Sequence, residues 1–73
     1  MENLKELARK KFPEFSEWEK KHQELDDLID QMEKKEFLTQ EEELKLEELK
    51  KLRLHYKDLM QAALEKVKKE IQN

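Results

Sequence analysis

The residue types that carry chemistry in proteins are few and scattered in this sequence. Glu19 and His22 stand three positions apart, the helical spacing at which a carboxylate and an imidazole bind iron in di-iron helix bundles. Such a centre needs a second copy of the motif and two further inward-facing glutamates, and the sequence has no second copy. We therefore expect no metal and no cofactor, and we interpret His22 as a histidine packed in a helical core.

The other candidate groups are weaker. His55 and Asp58 repeat the spacing of three, but an exposed helical pair explains them. Apart from the Tyr56 phenol, the hydroxyl groups belong to Ser16 and Thr39, and Thr39 is better explained as a helix cap. Nothing brings together a nucleophile, a base and an orienting group. We expect a protein that is not an enzyme, with no catalytic residue and no small-molecule substrate.

One segment of the chain is locally basic, and it has two interpretations. The functional one is a phosphate-binding surface for RNA or DNA, which makes a nucleic-acid-associated accessory protein the alternative function. The other is a solvated helix face balanced at i,i+4 by Glu47 and Glu48. No aromatic side chains are interleaved to stack on bases, and the net charge of −3 provides no attractive field, so nucleic acid is the less favoured partner. The basic residues are Lys50, Lys51, Arg53 and Lys57.

The longest element that the sequence predicts is a helix over residues 40–71. It begins with a capping box, in which Thr39 precedes Glu42 by three positions. No Gly or Pro interrupts the segment. Apolar side chains recur at helical spacing and form one stripe, wide enough for a buried helix face. They are Leu46, Leu49, Leu52, Tyr56, Met60, Ala63, Leu64, Val67 and Ile71.

A second helix is predicted over residues 14–36, after a short one over residues 3–11 that Asn3 caps. Phe12 precedes Pro13, which disfavours helix at Phe12, and Pro13 suits the first position of a new helix. The apolar series of this helix alternates steps of three and four residues, which is the a/d seam of a heptad repeat. Its members are Phe15, Trp18, His22, Leu25, Ile29 and Met32.

The phase of the two apolar patterns favours a hairpin over one continuous helix. Extending the first seam would place Glu43, Lys50 and Lys57 at core positions, which a buried seam does not tolerate. The break falls around residues 37–39, although no glycine marks the turn. The predicted fold is all-α: a coiled-coil-like antiparallel helical hairpin with a short N-terminal helix, in one domain over residues 1–73.

Aligning the two stripes sets a register in which paired residue numbers sum to about 78. His22 and Tyr56 then form a core polar pair, with the imidazole hydrogen-bonded to the phenol. The N-terminal helix covers the far end of the long stripe if it folds back. The predicted pairs are Met32 with Leu46, Ile29 with Leu49, Leu25 with Leu52, His22 with Tyr56, Trp18 with Met60 and Phe15 with Ala63. The covering residues are Leu4, Leu7, Ala8 and Phe12, over Leu64, Val67 and Ile71.

Composition indicates self-association. Charged residues make up 48% of the chain and hydrophobic ones 36%, a mixture typical of long helices. Small helical chains with so little apolar material often depend on oligomerisation. Leu28, Leu44 and Leu54 lie off both stripes, and we expect them to contact a second copy in a homodimer, in which two hairpins close a four-helix bundle. The predicted interaction surface comprises Leu44, Leu54, Lys50, Lys51, Arg53 and Lys57.

Absences in the sequence bear on the compartment. There is no cysteine, and therefore no disulfide, thiolate metal site or thiol nucleophile. No apolar run is long enough to span a bilayer, and no signal-peptide core is present, so we expect a cytoplasmic protein without membrane contact. The helix polar faces are acidic as often as basic, which also disfavours a membrane-surface helix.

Two sets of residues follow one another along the chain. The first set is Phe12, Pro13, Glu14, Phe15, Trp18, Lys21, His22, Leu25, Asp26, Ile29 and Glu33; the second is Leu49, Lys50, Lys51, Arg53, Leu54, Lys57 and Asp58. Together, over roughly residues 7–64, they resemble the YdcH-like family of small bacterial proteins. The chain departs from the family in Tyr56, where an aliphatic residue is expected, and in the acidic link at residues 41–43 between the two sets. The resemblance implies a small helical hairpin of unknown function, with no established catalytic residues, and we therefore expect a non-enzymatic protein–protein interaction or structural module.

Overall fold

Three helices make up the fold. The structure is a computed structural model that describes residues 3–72. Within that range the chain is 86% helical and contains no strand, as predicted. The helices are α1 (Leu4–Lys11), α2 (Phe15–Glu33) and α3 (Gln40–Gln72). All three pack on one another, and the molecule measures 51 × 18 × 17 Å.

The start and the end of α1 confirm the sequence prediction. The Asn3 side chain accepts a hydrogen bond from the Glu6 backbone N–H at 2.9 Å, satisfying one of the free donors of the first turn. The last helical residue is Lys11, and the capping residue Phe12 is extended, with φ −116° and ψ 99°. This is the conformation imposed on a residue that precedes proline.

Both ends of α2 differ from the prediction. Pro13 is not the first helical residue; it lies in a turn, closed by a hydrogen bond from the Phe15 N–H to the Phe12 carbonyl at 2.9 Å, and α2 begins at Phe15. At the far end α2 stops at Glu33 rather than near residue 36. The capping box fixes the start of α3, so the chain has to reverse direction before it, and with no glycine available the reversal takes several residues.

The capping box of α3 is present as predicted. Thr39 Oγ1 accepts a hydrogen bond from the Glu42 backbone N–H at 3.1 Å, and Glu42 Oε1 accepts one from the Thr39 N–H at 3.2 Å. Lys35, in the connection, forms an ion pair with the same Glu42 carboxylate. The Lys35 ammonium is the largest cause that lowers the pKa of Glu42, and the hydrogen bonds with Thr39 add to it. The reciprocal pair explains why α3 begins where it does.

Contacts between α2 and α3 join residues near those that the predicted register pairs. Arg53 Nη1 lies 2.7 Å from Asp26 Oδ1, and Lys50 Nζ lies 3.3 Å from Glu33 Oε2. At the other end of α2, Phe15 shares a core cluster with Ala63. Residue numbers therefore rise along one helix as they fall along the other, the order that an antiparallel arrangement requires.

The buried core is small and contains no polar side chain among the described residues. Phe15 and Ile29 are each 1% exposed, and they are the largest fully buried side chains. Leu52 departs from the prediction: it was expected opposite Leu25 in the core, but it is 44% exposed. Two helices cannot enclose a stripe that wide, so its edge positions stay in contact with solvent. The buried set is Ala8, Phe15, Leu25, Ile29, Ala63 and Val67.

The N-terminal helix folds back on α2 and α3, an arrangement that the sequence left open. Ala8 is 0% exposed and lies in one cluster with Phe15, Ala63 and Val67, with Leu7, Phe12, Trp18, Met60 and Leu64 packed against it. Arg9 of α1 binds Glu19 of α2, and Lys11 forms an ion pair with Glu70 of α3. The coverage is incomplete, because Leu4 and Ile71 remain 38% and 58% exposed.

Candidate interaction surfaces

Large apolar side chains remain on the surface, including the off-stripe leucines identified in the sequence. Leu28, Leu44 and Leu54 are 47%, 62% and 55% exposed, as the heptad analysis predicted. The structure adds Leu52, and it adds Phe37 in the connection between α2 and α3, which is 84% exposed. Phe37 belongs to neither apolar stripe, and this sequence feature indicates that its side chain is exposed.

Leu28 and Leu52 belong to the same side of the molecule. Around α2, Leu28 lies about 160° from Asp26; around α3, Leu52 lies about 140° from Lys57. Asp26 and Lys57 line the opposite side, where α1 also packs. We call the surface around Leu28 and Leu52 the leucine face.

Leu54 does not belong to the leucine face. It is two positions from Leu52, and two helical residues are separated by about 160° around the axis. The predicted interaction surface that includes Leu54 therefore lies on a different side of α3 from Leu52, and it stays a prediction. Any single flat interface on α3 contains Leu52 or Leu54, but not both.

A groove between α2 and α3 lies beside the N-terminal end of α1, at Lys5. Its volume is about 480 Å³. Met60 and Leu64 form an apolar floor next to the fully buried Phe15, and Lys5, His22 and Lys57 lie at its edges with the amides of two glutamines. We call this feature the α2–α3 groove. It was missed in the sequence, because a groove depends on where α1 stops along the other two helices.

His22 and Tyr56 each have a partner other than the one predicted. Both are half-buried. His22 Nδ1 lies 3.7 Å from Asp26 Oδ2, one turn along α2, and the Tyr56 ring meets the His55 ring edge-on at 5.7 Å between centroids. No hydrogen bond joins His22 to Tyr56 within residues 3–72, so the bonded pair predicted from the register is not formed.

Two of the four residues in the basic segment are engaged within the molecule. Lys50 pairs with Glu33 and Arg53 with Asp26, so half of the positive charge is balanced by α2 rather than by Glu47 and Glu48. In the part of the chain that the structure describes, Lys51 and Lys57 form no salt bridge. This segment therefore presents fewer free cations than its sequence suggests.

The Glu19 carboxylate, which stands three positions before His22 in the sequence, binds Arg9. Arg9 Nε and Nη2 donate hydrogen bonds to its two oxygens at 2.6 and 2.8 Å. These bonds are the largest cause that holds the pKa of Glu19 below its ordinary value of 4.5, and they likewise raise the pKa of Arg9. Across residues 3–72, no three His, Asp or Glu side chains are grouped so that they could hold a metal ion. Glu19 acts here as the anchor of α1.

The fold and these surfaces define a small three-helix protein whose exposed features are apolar and charged faces. Residues 15–70 match the family described as "Protein of unknown function (DUF465)", and the chain belongs to that family. The match spans α2 and most of α3 and is consistent with the YdcH-like resemblance. No curated protein and no solved structure matched the chain. Within residues 3–72, no helix is both long and apolar enough to cross a membrane.

Proposed function

We propose that this protein is a non-enzymatic protein–protein interaction module of the cytoplasm that acts as a homodimer of antiparallel helical hairpins. The observation that carries the proposal is the ratio of exposed to buried apolar side chains. Among residues 3–72, seven large hydrophobic residues are exposed and six hydrophobic residues are buried. A chain with so thin a core gains stability by burying part of that surface against a second copy.

The leucine face is the surface best suited to the dimer. A molecule 51 Å long and 18 Å wide offers, on one long face, about the 800 Å² per partner that a standard interface buries. Leu28 and Leu52 lie on that face, and α1 does not cover it. A two-fold axis through the face places each leucine against its equivalent region in the other copy, and the four long helices then form a bundle.

Charge substitutions at matched positions test the assignment. Leu28→Glu or Leu52→Glu places a carboxylate in the interface and shifts the equilibrium towards monomer by at least about tenfold, since burying an unpaired charge is costly. Leu54→Glu, on another face, is the control and leaves the dimer intact. Light scattering after size-exclusion chromatography measures the mass. Dissociation by Leu54→Glu alone would assign the interface to the other side of α3.

A nucleic-acid-associated role is the alternative function, resting on Lys50, Lys51, Arg53 and Lys57. The ion pairs of Lys50 and Arg53 weigh against it, because phosphate contacts would have to displace them. A titration with generic RNA and duplex DNA over a range of salt concentrations separates the two functions. Tight binding with a steep salt dependence would support the alternative, whereas we expect weak binding that Lys51→Gln and Lys57→Gln barely alter.

A further inference from the structure

The α2–α3 groove continues a binding site that the molecule already uses. α1 packs its apolar side on α2 and α3, with Ala8 fully buried, and Lys5 near its N-terminal end marks the start of the groove. Beside Lys5 the same two helices present the partly buried side chains of Met60 and Leu64, which also pack on the cluster that holds Ala8. The groove therefore has the shape and lining of the site that holds α1, but no element of residues 3–72 fills it.

The charge at the rim of the groove is positive. The Glu19 carboxylate is satisfied by Arg9, so it repels an incoming anion little. Lys57 has no acidic residue three or four positions away on α3, and it forms no salt bridge in the described part of the chain. Lys5 forms no salt bridge there either, although it lies near enough to Glu19 to help lower the pKa of that carboxyl. Two lysines are thus available to an acidic partner.

We propose that the α2–α3 groove binds a short amphipathic helix of a partner protein, one with an apolar stripe flanked by acidic residues. The apolar stripe lies on Met60 and Leu64, beside the apolar side of α1, and acidic side chains approach Lys5 and Lys57. Helix-in-groove recognition of this kind uses anchors at i, i+3, i+4 and i+7. The inference rests on the proposed interaction function and names the chemistry of the partner.

The groove and the leucine face lie on opposite sides of the two long helices. A homodimer formed through Leu28 and Leu52 therefore leaves both grooves open, and each dimer binds two partner helices. Complementary charge at the rim governs mainly selectivity and association rate, while the apolar floor supplies most of the affinity.

The test uses a designed probe and the full-length chain. The probe is a stapled helical peptide of about 14 residues, with leucines at i, i+3, i+4 and i+7 and glutamates on both flanks. Its counterpart has lysine in place of each glutamate. Two-dimensional NMR follows backbone amides during titration. We expect the acidic peptide to shift the amides of Phe15, His22 and Met60, and the basic peptide to bind at least about tenfold more weakly.

Variants of the protein complete the test. Lys57→Glu should weaken binding of the acidic peptide about tenfold, whereas Lys51→Glu, an equal charge change on the outer surface of α3, should not. Gln61→Trp places a large side chain at the groove and should block the peptide while leaving the helical content unchanged. Equal effects of Lys57→Glu and Lys51→Glu, peptide-induced shifts centred on Leu28 and Leu52, or no binding of the acidic peptide would each overturn the proposal.

Sedimentation of the same samples separates this inference from the proposed dimer. A dimer that persists without binding the peptide would remove the groove partner and leave the homodimer. A monomer that binds the peptide in the groove would remove the homodimer and leave the groove partner.

Discussion

At the scale of single residues, the Arg9–Glu19 pair shows how a polar contact positions a helix. Two nearly parallel hydrogen bonds fix the guanidinium on the carboxylate, an arrangement that constrains orientation as well as distance. The Arg9 and Glu19 side chains are 44% and 26% exposed, so solvent weakens their attraction. The pair therefore sets where α1 lies, while the buried Ala8 supplies the packing.

The depressed pKa of Glu19 makes the docking of α1 pH-dependent. Because folding lowers this pKa, the stabilisation is complete above the ordinary carboxyl value of 4.5 and is lost as the pH falls through the lower folded value. We expect the docked state to weaken as the pH falls below 4.5, and only slightly, because the pair is partly exposed. The Ala8 methyl resonance reports docking.

Glu19→Gln is the control for this titration. It should weaken docking at neutral pH and flatten that part of the pH response that Glu19 causes. Identical pH profiles for the two proteins would show that Glu19 does not couple docking to protonation.

The Thr39 cap gives a second test at the residue scale. Thr39→Ala removes the acceptor for the Glu42 N–H and should destabilise the protein by about 1 kcal/mol. Ser16→Ala, at an exposed position near the start of α2, is the matched loss of a hydroxyl and should have a smaller effect. Urea denaturation followed by circular dichroism measures both, and equal effects would mean that the cap contributes nothing specific.

At the scale of helices, the core depends on a few apolar contacts. Ile29, in the middle of α2, is 1% exposed. Ile29→Ala should lower the free energy of unfolding by about 2–5 kcal/mol, because it removes buried apolar surface and leaves a cavity. Leu44→Ala, at an exposed leucine, should cost far less. Chemical denaturation compares the two, and a loss below about 1 kcal/mol at Ile29 would contradict a core built around this contact.

The antiparallel order of α2 and α3 is open to a direct distance measurement. Spin labels at Glu19 and Asp58 should lie within a helix-packing distance of about 10 Å plus the length of the labels. A continuous helix would separate them by about 60 Å. Labelled chains are diluted into unlabelled protein, so that contacts between two copies do not contribute. A distance near the longer value would exclude the hairpin.

Rules that use a few adjacent residues predicted the helices well. They failed where the exposure of a side chain depends on the packing of another helix. The Asn3 cap, the break before Pro13 and the Thr39 capping box each follow from a few adjacent residues, and the structure contains all three. The exposure of Leu52 and the groove depend instead on how much of a stripe two helices cover and where α1 ends. The Glu19 partner was missed for the same reason, because Arg9 reaches it only after α1 folds back.

At the scale of the whole molecule, the proposed association rests on shape and surface. Within residues 3–72 six hydrophobic residues are buried, so the elongated molecule has little interior, and its longest faces are continuous along α2 and α3. In the proposed homodimer, contact through the leucine face would enlarge the apolar core without changing the packing of either chain. The α2–α3 groove would remain open on the outside of that assembly.

Sedimentation equilibrium of the unmodified protein tests the homodimer most directly. At micromolar concentrations we predict a mass twice the 9.0 kDa of one chain, falling towards that of the monomer on dilution. The midpoint of thermal unfolding should rise with concentration, because mass action stabilises the associated state. A mass of 9.0 kDa throughout, with a cooperative unfolding transition that does not depend on concentration, would contradict the homodimer.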